Sequence, residues 1–238
     1  MKIIYSTGGG GSSFVSENFK KSGWSVCERP DGGQQKATHT TEEIFIQRTK
    51  RFFKNELEPN KNYSQKELFD LAYPRLKKYE MDRKWRGKKL MLLSMSWGGM
   101  DFLNNLEEKT IFLIRDPLFA FNSYSGGGWR SEGGKRRIEY VGANSPNDKK
   151  WINKFLGDFS MWVRGAENAL KANKNGTGYV VRYHNFQEDW SKIDGLPPIH
   201  KNFSCKDKHE KLLTLLNQDT INYIKGKTND IWNEICSL

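Results

Sequence analysis

Two kinds of segment alternate along the chain. Short apolar runs read as strands: Lys2–Tyr5 (KIIY), Trp24–Glu28 (WSVCE), Lys89–Ser94 (KLMLLS), Thr110–Ile114 (TIFLI) and Tyr179–Tyr183 (YVVRY). TIFLI is apolar on both sides of its pleat, as a strand buried in a parallel sheet must be. Between these runs the apolar positions return with a helical period. Phe14, Val15 and Phe19 share one face ahead of Gly23, a natural helix stop. Thr40 with Glu43, and Ser64 with Glu67, have the spacing of capping boxes. Each precedes a helical register, Ile44 to Phe53 and Leu68 to Ala72, the second ended by Pro74. Asp116-Pro117 predicts a helix start, with Asp as the cap and Pro in the first turn. Trp97–Glu108 reads as a turn and short helix, Trp151–Ala172 as one long amphipathic helix, and Lys208–Cys236 as two or three helices. Arg29–Thr40 and the glycine-rich, basic Ser125–Ala143 read as loops, the second mobile. This alternation predicts a single α/β domain over residues 1–238: a parallel sheet of about five strands in a three-layer α/β/α arrangement.

Composition narrows the picture. Aromatics make up 13% of the chain, enough to fill a sizeable core. No apolar run approaches the roughly 18 residues of a membrane span. The chain enters its first strand at Lys2 with no basic-then-apolar leader, so a cytoplasmic location is expected. Cys27, Cys205 and Cys236 are far apart and lack ligand spacing, so neither a structural metal nor disulfides are expected. The net charge of +11 favours anionic partners.

Two motifs give that anion a place. After the first strand come Gly8, Gly9, Gly10 and Gly11, then Ser12, Ser13 and a helix. Strand, glycine turn and helix start make a phosphate cradle. Glycine lets backbone N–H groups approach an anion, and the helix end adds donors and partial positive charge. The second motif is IRDPLFAFNS, with Arg115 at the end of the buried strand and Ser123 eight positions on. Ligands of open α/β sheets bind at the carboxyl ends of strands, where a guanidinium and a hydroxyl can clamp a phosphate.

Together these motifs resemble those of the sulfotransferase superfamily, which uses 3'-phosphoadenosine 5'-phosphosulfate (PAPS) as sulfuryl donor. Gly9, Gly10, Gly11, Ser12, Ser13 and Phe14 lie on the family's 5'-phosphosulfate loop, and Phe14 takes the place of a base-stacking Trp. Arg115, Asp116, Pro117 and Ser123 match the family's 3'-phosphate motif. VVRYHNF, with Tyr183, resembles a third, looser motif in which His184 and Asn185 replace the usual acids. The resemblance spans residues 2–190 and implies a P-loop-like fold. It also implies transfer from PAPS to a hydroxyl of a glycan or small-metabolite acceptor, with 3'-phosphoadenosine 5'-phosphate (PAP) as product and no metal.

The chain departs from the family at Gly9, where a Lys or Arg is usual. Arg130, Lys135, Arg136 and Arg137 are the candidate replacement cations. For the base that accepts the acceptor's proton, the candidates are His39, Glu42 and Glu43, just past the second strand. Two alternatives stand beside this reading. One is a nucleotide-binding relative with weak catalysis. The other is an NAD(P)-binding Rossmann-type oxidoreductase, since Gly8-x-Gly10-x-x-Ser13 approximates its glycine motif and Glu28 stands at the ribose-binding distance. No recognition-helix, RNP or zinc pattern supports specific nucleic-acid binding.

Overall fold

The computed structural model describes residues 2–7, 9–27, 40–41, 54–64, 66–68, 70–71, 73–74, 90–95, 107–130, 139, 141–156, 162–200 and 216–238. Its strands are β1 (Lys2–Ser6), β2 (Ser25–Cys27), β3 (Thr40–Thr41), β4 (Leu90–Met95), β5 (Thr110–Ile114) and β6 (Gly178–Arg182). The helices are α1 (Ser12–Lys21), α2 (Pro117–Arg130), α3 (Lys149–Leu156), α4 (Val163–Lys174), α5 (Phe186–Ser191) and α6 (Gln218–Cys236). A 3-10 turn, Tyr183–Asn185, joins β6 to α5. The chain is therefore α/β. The sheet runs β2-β4-β1-β5-β6, with β3 paired to β4, and every pairing is parallel.

Alternation along the strands divides the apolar side chains between two cores. Ile3, Tyr5, Phe112 and Ile114 pack with α2, α3, α4 and α6 on one face. Ile4, Ile111, Leu113 and Val181 pack with Val15 and Phe19 of α1 and Phe186 and Trp190 of α5 on the other. Helix α4 comes close because its inner face is Gly165, Ala166, Ala169 and Ala172. A Cβ on Gly165 would stand 2.6 Å from the Tyr5 hydroxyl.

Several local expectations hold. Glu67 accepts from the Ser64 N–H at 2.8 Å while Ser64 Oγ accepts from the Glu67 N–H at 3.2 Å, a reciprocal capping box. Asp116 Oδ1 accepts from the N–H groups of Leu118 and Phe119 at 2.9 and 3.2 Å, capping α2. Others are corrected. Thr40 is not a helix cap: Thr40–Thr41 forms a strand beside Ser94–Met95. Ser125–Arg130, expected within a loop, continues α2. Trp151–Ala172 is not one helix, because Trp162 has left the helix and its N–H donates to the Phe155 carbonyl at 3.2 Å. The rest of the Thr40–Phe53 helix, most of Trp97–Glu108 and residues 208–215 lie outside the described residues.

A buried ion pair fixes the carboxyl end of β6. Arg182 donates from Nε and Nη2 to the two carboxylate oxygens of Asp189 at 2.8 and 2.7 Å, with the side chains 12% and 5% exposed. The Arg182 N–H donates to the same carboxylate, and Arg182 Nη1 reaches the Cys236 carbonyl at the end of α6. Burial pushes the Asp189 carboxyl up, but the Arg182 hydrogen bonds outweigh it and leave the group below its ordinary value. A depressed carboxyl contributes stability above its unfolded pKa of about 3.9 and loses it as pH falls through the folded value. Asp189→Asn should cost about 3–5 kcal/mol at pH 7, because it strands the guanidinium. In urea unfolding that difference should shrink below pH 4; an equal deficit at pH 3 and pH 7 would show that the carboxylate charge is not what counts.

Candidate functional site

Parallel pairing puts the carboxyl ends of β1, β4, β5 and β6 on one edge of the sheet. Strands β1 and β5 are neighbours, yet the helices that follow them pack on opposite faces, α1 in one core and α2 in the other. Such a divergence opens a crevice at the strand ends, where ligands of open α/β sheets bind. The glycine loop and Arg115 are its two lips.

The loop closes tightly. The Gly10 N–H donates to the Thr7 carbonyl at 2.9 Å, and Gly9 and Gly11 take φ of +75° and +98°. Protein neighbours also require these glycines. A Cβ at Gly9 would lie 2.3 Å from the Ala120 carbonyl oxygen of α2, and one at Gly11 would lie 2.4 Å from the Tyr183 ring. Gly11 is the N-cap of α1 and has no side chain to offer the helix. The next residues, Ser12, Ser13, Phe14 and Val15, bring no acid into the first turn. Of the two helix starts at the crevice, α2 is capped by Asp116, and α1 has no side-chain cap.

Arg115 spans the gap. Its Nη1 donates to the Gly9 carbonyl at 3.0 Å, and its guanidinium carbon stands 4.4 Å from the Tyr183 ring centroid. The Arg115 carbonyl accepts the Trp162 indole N–H at 2.9 Å. Gly9, Gly10, Gly11, Arg115 and Tyr183 are thus brought together, with Ser12 and Ser13 opening α1 beside them. Phe14 is half-buried and meets Phe186 edge-on at 5.4 Å, so it also belongs to the core beneath α1. Ser123 is exposed on α2, two turns beyond Asp116.

The candidate catalytic residues fare differently. His39, Glu42 and Glu43 lie outside the described residues, though Thr40–Thr41 between them pairs with the carboxyl end of β4. Arg130 ends α2, about 20 Å along the helix axis from Pro117. Arg115 is the cation that the described residues place against Gly9, and Lys135, Arg136 and Arg137 lie outside them. Among the described residues no group of three or more His, Cys, Asp and Glu could hold a metal, and no helix is long and apolar enough to cross a membrane. Sequence reasoning missed the supporting residues Asp189 and Trp232. Asp189 meets Arg182 seven residues back along the chain, while Trp232 meets Trp162 and His184 only through the fold. Comparison with family models, curated proteins and solved structures finds no significant match to the chain.

Gly9 should tolerate no side chain. Gly9→Ala meets backbone at 2.3 Å as well as positive φ, whereas Gly176 has φ +69° with nothing within 4 Å of an added Cβ. Gly176→Ala should cost the left-handed strain alone, about 1–2 kcal/mol. Gly9→Ala should cost at least about 1 kcal/mol more, from the displaced α2 carbonyl. Equal losses in denaturant unfolding would mean that the loop can withdraw from α2.

Proposed function

We propose that the chain is a sulfotransferase that uses PAPS as donor and a hydroxyl of a glycan or small metabolite as acceptor. The observation that carries this reading is the Arg115–Gly9 contact. It joins the two motifs of the resemblance across the β1/β5 crevice, 106 residues apart in sequence. The donor has two anionic ends, and the crevice has two matching features. The α1 start, without a side-chain cap, suits the 5'-phosphosulfate. The Arg115 guanidinium suits the 3'-phosphate. Under this reading the fold is the P-loop-like one that the resemblance implies, and Tyr183, stacked on Arg115, borders the nucleotide.

When bound, the donor supplies an activated sulfuryl group. The protein's part is to hold both anionic ends, keep water out and stabilise charge at the leaving oxygen. Gly9 brings no cation of its own to that last task, and Arg130, Lys135, Arg136 and Arg137 remain the proposed replacements. His39, Glu42 and Glu43 remain the proposed acceptors of the acceptor's proton.

The Rossmann-type alternative fits the sheet less well. In the doubly wound dinucleotide order, 3-2-1-4-5-6, the second strand lies beside the first. Here β4 lies between β1 and β2.

Calorimetry with PAP, NAD and NADP tests the choice. PAP should bind and the dinucleotides should not. Arg115→Ala should weaken PAP by about 1.5–3 kcal/mol, the worth of a hydrogen bond to a charged group. It should affect adenosine 5'-phosphate, which lacks the 3'-phosphate, much less. Equal losses for the two nucleotides would remove Arg115 as the reader of the 3'-phosphate, and tight NAD binding without PAP binding would remove the sulfotransferase reading.

A further inference from the structure

Two hydroxyls lie beneath the turn that opens the glycine loop. Ser6 ends β1, Thr7 follows it, and both are fully buried. Each stands near Gly10: a Cβ there would lie 2.7 Å from Ser6 Oγ and 3.2 Å from Thr7 Oγ1. They differ in what they bond. Ser6 Oγ donates to the Thr7 carbonyl at 3.1 Å, and the Gly10 N–H donates to the same carbonyl at 2.9 Å. Thr7 Oγ1 has no hydrogen-bond partner. The Thr7 methyl meets α4, since a Cβ on Gly165 would lie 3.0 Å from Thr7 Cγ2. The side chain therefore gives its carbon to the helix and its oxygen to the turn.

Neither packing nor turn chemistry accounts for that oxygen. A valine has the shape of threonine and would avoid the cost of burying an unpaired hydroxyl. The Thr7 group that closes the turn is its backbone carbonyl. The place of the orphan is informative. Gly10 directly precedes Gly11, the N-cap of α1, a ten-residue helix with neither a side-chain cap nor an acid in its first turn. Such a helix start draws an anion. Residues 8 to 11 are all glycine, so Thr7 is the last side chain before Ser12. Its hydroxyl is a donor at the anion's place that no protein atom takes up.

We propose that the Thr7 hydroxyl donates to the nucleotide's 5'-phosphate, seated at the α1 start, and so makes the hydrogen bond that no protein group offers it. The proposal rests on the PAPS reading above and adds to it a side-chain donor for the 5' end, as Arg115 is for the 3' end. PAPS and PAP share the 5'-phosphate, so PAP reports on this contact without any sulfuryl transfer.

The test is calorimetry with PAP and with adenosine 3'-phosphate, which lacks the 5'-phosphate, on the wild type, Thr7→Val and Thr7→Ser. Thermal unfolding of each protein without nucleotide accompanies it. Thr7→Val keeps the shape and removes the hydroxyl. It should bind PAP about tenfold more weakly than the wild type, the ratio expected of one hydrogen bond to a charged group. Adenosine 3'-phosphate should not distinguish the two. Without nucleotide Thr7→Val should unfold no lower than the wild type, because the hydroxyl it loses has no protein partner. Thr7→Ser keeps the hydroxyl and should bind PAP more tightly than Thr7→Val. Equal PAP affinities for the wild type and Thr7→Val overturn the proposal, as does an equal loss for adenosine 3'-phosphate. A Thr7→Val protein that unfolds well below the wild type, or does not fold, shows the hydroxyl to be serving the fold and overturns it too. PAP binding that Arg115→Ala weakens and Thr7→Val does not leaves the donor reading standing and removes Thr7 from it. No PAP binding by the wild type overturns the donor reading and this proposal together.

Discussion

The structure depends on one topological constraint: β1 and β5 are parallel neighbours whose chains leave the sheet toward opposite faces. Two loops diverging from adjacent strand ends cannot cover the space between them. Here that space is bridged by the Arg115 bond to the Gly9 carbonyl, which links the end of β5 to the turn before α1. The Trp162 indole anchors the Arg115 backbone from below, and Tyr183 covers the guanidinium from the side. The site is a junction of three strand ends, so its geometry depends on how rigidly each is held.

Rigidity at the third strand end comes from the Arg182–Asp189 pair. A bidentate bond at 5–12% side-chain exposure is a poor general stabiliser, since both ions give up water. It is specific, however. The carboxylate also takes the Arg182 N–H, and the guanidinium reaches the last turn of α6. The turn between the partners contains Tyr183 and His184, so its ends are tied before any ligand arrives. The glycine loop is constrained by sterics instead. The Ala120 carbonyl and the Tyr183 ring occupy the space where side chains at Gly9 and Gly11 would go. These glycines serve the close packing of the loop as much as any approach of an anion.

Much of this was legible in the sequence. The apolar runs marked β1, β4, β5 and β6 to within a residue or so of their ends, because buried parallel strands must be apolar on both faces. The Ser64–Glu67 box and the Asp116 cap were readable because each is made within four residues. The glycine loop and Arg115 were readable as motifs, and parallel pairing then makes strand ends coincide. The failures came where a distant partner overrode a local signal. Gly126 to Gly128 weaken a helix by propensity, yet α2 runs through them. Ser125 just before them is buried under the Trp151 indole, and Phe121 packs on Phe155. Thr40 has the spacing of a cap, yet β4 offers it a ladder. The helix expected over Trp151–Ala172 is divided between α3 and α4, and Trp162, just before α4, donates its indole N–H to the Arg115 carbonyl, 47 residues away in sequence.

Sequence by itself determined the class of fold, the order of its strands and helices along the chain, and the two motifs able to meet an anion. Only the tertiary structure decided that β4 lies between β1 and β2, that the crevice opens between β1 and β5, and that Arg115 rests on Gly9 while Arg130 is carried down α2. Periodicity and capping are set by neighbours within a turn or two of chain. Strand order and side-chain partnership are set by which distant surfaces bury the most apolar area without leaving a polar group unpaired, and no local pattern encodes that.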